Sequence, residues 1–221
     1  MTPTETPPPK PRLAKPGRRV LIPNVAWEMY DQLLKVFEDK PNLRLTYDRG
    51  ELEIMVPSYE HDGDADFLAR MVQVLTEELG LPIRCGGSTT LRKQVKKRGL
   101  EPDRCLWIAN AAKLAGVRQL DLAVHPPPDL AVEVDVTKSS LDRFKIYAKL
   151  GVGELWHLDG DDLSFHVLGA RKRYVKVRTT PTFGGITPTD LMQFVINARA
   201  VPDENAAVRT FRAWVKQRPP Q

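Results

Sequence analysis

The run Asp129-Leu130-Ala131-Val132-Glu133-Val134-Asp135-Val136 constrains the fold more than any other part of the chain. Aliphatic residues at every second position, entered through the prolines at 126–128, demand an extended strand buried on at least one face. Leu130, Val132, Val134 and Val136 fall on one face, and Glu133 and Asp135 on the other. A helical pattern begins near Ser139, with Leu141, Phe144, Ile146, Tyr147 and Leu150 partly periodic and Gly151 at the C-cap position; Glu154–Asp159 reads as the next strand. Strand, helix, strand is the topology predicted here, within an α/β fold.

Two carboxylates on one face of a strand repel unless a cation or a proton intervenes. Glu101 and Asp103 precede or open another strand, and Asp142 with Lys145 sits on the helix after Asp135, so the composition is that of a metal site. Hard divalent ions prefer carboxylate, carbonyl and water oxygens, which fits Mg²⁺ or Mn²⁺ better than zinc. An edge strand with Glu133 and Asp135 on its solvent face would show the same alternation, and spacing alone does not separate the two readings.

The rest of the chain supplies one domain's worth of elements. The first nineteen residues mix proline with lysine and arginine and read as a disordered arm, residues 20–200 as the folded domain, and 201–221 as a C-terminal helix and tail. A helix is expected from near Asn24 to Pro41, a hairpin from Leu43 to Val56 around Asp48-Arg49-Gly50, and a second helix after Pro57-Ser58 up to Gly80. Two β-compatible stretches flank the basic run Arg92, Lys93, Lys96, Lys97, Arg98; three strands in a meander follow Gly151, a helix opens at Thr187, and a last helix carries Val208, Phe211, Trp214 and Val215. Trp156 is expected in the core, and His157 and His166 on a sheet surface.

The formal charge of +5 permits a polyanionic partner without requiring one. Cys85 and Cys105, without a second pair, give neither a zinc spacing nor a disulfide framework, and are expected as reduced, buried thiols. No apolar run approaches the roughly 18 residues that span a bilayer, and the N-terminus lacks the apolar stretch of a signal peptide, so a soluble cytoplasmic protein is expected.

Taken in order, PSYEHDGDADFLARMVQVL, GSTTLR, RGLEPDRCLWI and PPDLAVEVDVTKSSLDRFKIYAKLGVGELWHLD resemble the Uma2 family, a bacterial group of endonuclease-like proteins within the PD-(D/E)xK superfamily. The similarity runs from about Val25 to Phe194. It implies a restriction-endonuclease-like fold, a mixed central sheet flanked by helices, with acids from adjacent strands converging on a divalent metal. Asp103 corresponds to the aspartate of the PD motif and Glu133 to the acid of the (D/E)xK motif. Where the superfamily has lysine, this chain has Asp135, a third potential ligand; Lys145 is the best candidate for a migrated lysine, with Arg143 and Lys138 behind it.

The function so implied is Mg²⁺- or Mn²⁺-dependent hydrolysis of DNA phosphodiester bonds, with Asp103, Glu133 and Asp135 holding the metal and Lys145 steadying charge or the attacking water. His61 is a candidate for substrate contact, and Arg92, Lys96 and Lys97 for phosphate contact. The alternative is an inactive nuclease-fold protein that binds nucleic acid or regulates. No sequence-specific DNA-reading motif is present, and a homodimer through the C-terminal helices is compatible with the sequence.

Overall fold

The computed structural model describes residues 17–38, 43–135 and 138–218. In chain order the elements are β1 (Arg19–Ile22), α1 (Trp27–Val36), β2 (Arg44–Asp48), β3 (Glu51–Met55), α2 (Tyr59–Glu78), β4 (Arg84–Gly87), β5 (Leu91–Lys93), β6 (Arg98–Leu100), β7 (Arg104–Trp107), β8 (Leu130–Asp135), α3 (Arg143–Leu150), β9 (Glu154–Asp159), β10 (Asp162–Leu168), β11 (Tyr174–Val177), α4 (Pro188–Ala200) and α5 (Glu204–Lys216).

They form two sheets, where the sequence led to the expectation of one. A five-stranded antiparallel sheet has the order β1-β3-β2-β6-β5; a six-stranded mixed sheet has the order β11-β10-β9-β8-β7-β4, with β8 and β9 its parallel pair. The crossover between those two strands is α3, as the strand-helix-strand pattern requires. β8 is therefore an inner strand, and the edge-strand reading of Glu133 and Asp135 falls. Val136, assigned to the apolar face, lies outside the described residues.

Each face of β8 packs against something different. Leu130, Val132 and Val134 join Leu68, Met71, Val72 and Leu75 of α2, Trp156 and Leu158 of β9, and Leu191 and Phe211 of α4 and α5 in the largest core. Ala131 packs with Ile146, Tyr147 and Leu150 of α3, and with Leu91 and Leu100 of the five-stranded sheet. On the far side of that sheet, Leu45, Tyr47 and Leu52 meet Trp27 and Tyr30 of α1. α3 is thus held between the two sheets, and the acidic residues of β8 face that seam.

Local chemistry sets the ends. Ser58 accepts the His61 amide hydrogen and starts α2 just before its acidic first turn, which favours the positive end of the helix dipole. Asp142 caps α3, and Gly151 closes it at a φ of 96° that a residue with a Cβ adopts reluctantly. Thr187 and Asp190 form a reciprocal capping box at α4.

Several expectations need adjustment. α3 starts at Arg143, four residues after Ser139, because Ser139 and Ser140 are bonded elsewhere. β1 starts at Arg19, inside the segment read as a disordered arm. Ala207, Phe211 and Val215 of α5 belong to the main core. Cys105 is buried but Cys85 is exposed, and neither is in a disulfide. No helix among the described residues is long and apolar enough to cross a membrane.

Candidate active site

β6 ends at Leu100 in one sheet and β7 begins at Arg104 in the other, so Glu101-Pro102-Asp103 is the segment that crosses between them. The Glu101 carboxylate stays with the five-stranded sheet, accepting from the Leu45 amide at 2.8 Å and the Thr90 hydroxyl at 3.1 Å. The Asp103 carboxylate, fully buried, turns toward β8 and accepts the Val134 amide hydrogen through Oδ2 at 2.7 Å. This bond brings Asp103 beside Glu133, close enough for its charge to be felt there.

His61 reaches the same point from the first turn of α2. Its Nε2 lies 3.2 Å from Asp103 Oδ2 without the alignment of a hydrogen bond, so both ring nitrogens and Asp103 Oδ1 are buried without a hydrogen-bond partner. Burial works against the imidazolium, but the facing Asp103 carboxylate outweighs it, and the His61 pKa stands above its ordinary value.

Glu133 is 2% exposed and its carboxylate is fully engaged. The Arg143 guanidinium spans both oxygens, with Nη2 at 2.9 Å from Oε2 and Nε on Oε1, and the Tyr147 hydroxyl donates to Oε2 at 2.6 Å. Burial and the nearby Asp103 charge nonetheless lift the Glu133 pKa above the usual carboxylate range. Arg143 also donates to Thr46 Oγ1 and, at 3.0 Å, to the Glu101 carbonyl, so one buried guanidinium ties β8, β2 and the crossing segment together.

Asp135 lies two residues further along β8, half-buried, and is held by other partners: His157 Nε2 of β9 at 2.9 Å and Arg19 Nη2 of β1 at 3.3 Å. Arg19 also bonds Glu53 at 2.9 Å, and that buried acid of β3 accepts in addition from Ser139 Oγ at 2.8 Å and the Ser140 amide at 2.7 Å.

The residues singled out from the sequence therefore separate. Asp103, Glu133 and His61 come together. Asp135 is taken by His157 and Arg19, and the expected convergence of three carboxylates is not formed: among the described residues no group of three His, Cys, Asp or Glu side chains could hold a metal ion. Lys145 is exposed, pointing away from Glu133, and the position expected for it is filled by Arg143. Helical geometry accounts for this: positions 143 and 145 lie about 200° apart around α3, so they cannot both face the seam. Arg92 pairs with Asp31 of α1. Lys96 and Lys97 are exposed at the β5–β6 turn, at the far end of β6 from Glu101.

Sequence reasoning missed Glu53, Arg19, Tyr147 and His157 as members of this constellation. Glu53 alternates with Leu52 and Ile54 as a solvent-facing residue would, and only the second layer of structure buries it. His157 was assigned to a sheet surface; in the parallel register it stands opposite Glu133, within reach of Asp135.

The donor set bears on a divalent metal through one atom above all. A buried carboxylate oxygen without a partner is costly, and a hard cation is a natural complement for it. Asp103 Oδ1 is such an atom, and Glu133 stands beside it. Magnesium commonly takes one or two protein carboxylates and completes its shell with water and substrate phosphate, so Asp103 fits it, and Glu133 fits once it gives up a bond to Arg143 or Tyr147. Next to His61 and Arg19 the surface retains a recess of only about 10 Å³, whereas a groove of about 570 Å³ lies between α1 and the five-stranded sheet and reaches Arg44 and Glu101.

A family model described as "Putative restriction endonuclease" (Uma2) matches residues 27–199. Among solved structures the chain is similar to one from Anabaena variabilis ATCC 29413, described as "a putative nuclease belonging to DUF820", at 16% identity and a TM-score of 0.50, over 75% of this chain and 97% of that one. No curated protein matches. The fold is α/β, of the restriction-endonuclease-like type.

Proposed function

The chain belongs to the Uma2 family, whose description is "Putative restriction endonuclease", and on that premise we propose that it is a divalent-metal-dependent DNA endonuclease with Asp103, Glu133, His61 and Arg143 at its active site. The observation that carries this reading is the buried Asp103 Oδ1, without a hydrogen-bond partner, beside Glu133 and the His61 imidazole that faces Asp103 Oδ2 at 3.2 Å.

Asp103 would hold Mg²⁺ or Mn²⁺ through Oδ1, and Glu133 beside it would join on exchanging a bond from Arg143 or Tyr147. When bound, such an ion polarises a phosphate and lowers the pKa of a water molecule toward neutrality. The other roles follow from the chain's own groups. The Val134 amide fixes the orientation of Asp103, and Tyr147 with Arg143 fixes that of Glu133. A guanidinium stays protonated, so Arg143 can balance negative charge building on a phosphate but cannot accept a proton. His61 brings to the cluster an imidazole, a side chain that can either donate or accept a proton.

The test is cleavage of plasmid and oligonucleotide DNA by purified protein in Mg²⁺ or Mn²⁺. Cleavage lost in Asp103→Asn and Glu133→Gln, and kept in Lys145→Ala, is the expected pattern. DNA binding without cleavage in both metals overturns it in favour of a second reading, a nuclease-fold nucleic-acid-binding protein without turnover. The full engagement of both Glu133 oxygens by Arg143 and Tyr147 is the observation that favours that alternative.

A further inference from the structure

We infer that Arg19 and Glu53 form a clamp that positions the active-site connector between β8 and α3, and that β1 is a working part of the site. The inference rests on the reading of Glu133 and Arg143 as active-site residues. Arg19 lies ahead of the segment matched by the family model, which begins at residue 27.

The geometry is that of a built joint. The Glu53 side chain is completely buried, yet it carries a carboxylate with three donors from two directions: Arg19 Nη1 on Oε1 at 2.9 Å, Ser139 Oγ on Oε1 at 2.8 Å and the Ser140 amide on Oε2 at 2.7 Å. A buried charge is tolerated only when paired and hydrogen-bonded. The Arg19 side chain, itself 7% exposed, uses its second terminal nitrogen on Asp135 at the end of β8. One planar guanidinium thus fixes the distance from β3 to the end of β8, and one carboxylate ties Ser139 and Ser140 to β3. Two residues past Ser140 stands Asp142, the cap of α3, and immediately after it Arg143, which grips Glu133.

The described bonds of Arg19 and Glu53 run to each other, to Asp135 and to Ser139 and Ser140, so the pair acts on Glu133 through Arg143 and both are positioning residues. Loosening them frees the connector, and with it the register of Arg143 on Glu133. β1 is secured well enough to act as the anchor: it pairs with β3 from Arg19↔Met55 to Ile22↔Leu52, and the Gly17 and Val56 amides extend the ladder by 2.8 and 3.2 Å bonds.

The test compares full-length wild type with Arg19→Ala, Arg19→Lys and Glu53→Gln by amide hydrogen exchange resolved at single residues. The Ser140 amide is expected to exchange at least about tenfold faster in Glu53→Gln, whose charged acceptor is lost, and in Arg19→Ala, where Glu53 loses the guanidinium that holds it in place, while amides of β9 and α4 keep wild-type rates. Arg19→Lys, which keeps the charge but loses the fork, should recover part of that protection. In cleavage assays Arg19→Ala should lower kcat with KM nearly unchanged, since Arg143 and not the DNA-contacting surface is displaced. Unchanged exchange at Ser140, or an equal rise across β9 and α4, overturns the clamp. A wild type that does not cleave DNA overturns the proposed activity instead, and the exchange result then judges the clamp by itself.

Discussion

The Arg143 guanidinium lies across both oxygens of Glu133, ten residues before it in the chain, and neither side chain is more than 5% exposed. An ion pair so enclosed is dangerous to break from one side, because the remaining charge is left in a low-dielectric surrounding. Arg143→Ala should therefore destabilise the protein by about 3–5 kcal/mol in urea unfolding. Lys145→Ala on the exposed side of the same helix should stay within about 0.5 kcal/mol of wild type. Equal effects from the two substitutions would contradict the assignment of Arg143 as the buried cation.

The Asp135–His157 pair gives stability a pH signature. Burial pushes the His157 imidazole down, but the bond to Asp135 more than offsets it, so its pKa is raised above 6.5. Burial likewise pushes Asp135 up, and His157 with Arg19 brings it below 3.8. A raised histidine contributes stability fully below 6.5 and loses it as pH rises through the folded value. A depressed aspartate contributes above 3.8 and loses it as pH falls through the folded value. The melting temperature of wild type should exceed that of His157→Gln most between these limits, by about 2–4 °C for a partly exposed pair. The gap should close toward alkaline pH; a gap independent of pH would rule the pair out as its cause.

Gly99 of β6 should not accept a side chain. A methyl group there would stand on the Tyr30 hydroxyl and ring edge, and Tyr30 is completely buried and stacked on Tyr47 with ring centroids 4.8 Å apart. Gly99→Ala should cost about 1–3 kcal/mol as an overpacking substitution, measured by thermal or urea melts. Wild-type stability in that variant would show that α1 gives way easily.

The basic residues before the crossing segment should differ in their contribution to DNA binding. Arg92 is already paired with Asp31, whereas Lys96 and Lys97 are exposed. Removing the two lysines together should lower the slope of log affinity against log salt by roughly 1.8, at about 0.9 per phosphate, and Arg92→Ala should leave it nearly unchanged. Filter binding or fluorescence anisotropy over a salt series decides the matter; an unchanged slope in the double lysine variant removes this turn from the interface.

What could be read from the sequence was whatever depends on period. The alternation in Leu130–Asp135, the 3.6-residue pattern of α2 and the turn chemistry at Asp48-Arg49-Gly50 specify their elements locally. Asp103 and Glu133 were legible because a run of ordered motifs surrounds them. Arg143 was not favoured over Lys145, since both are cations in one short helix and the difference is which face meets the seam. Glu53 and Arg19 were hidden for a related reason: a polar residue alternating with apolar ones reads as solvent-facing, and only a second layer stacked on that side makes it interior. Asp135 carried a metal-ligand reading because no local signal announces that a histidine 22 residues later will lie alongside it.

The crossing segment Glu101-Pro102-Asp103 leaves one hydrogen-bonded sheet and enters the other within three residues. Its two carboxylates are anchored on opposite sides of that passage, Glu101 to the Leu45 amide and Asp103 to the Val134 amide. Any sliding of one sheet past the other would load this short, proline-stiffened bridge together with the Arg143 and Arg19 ties between the layers. The candidate chemistry thus sits on a joint between the layers, where a substitution that shears one sheet against the other would be felt at Asp103.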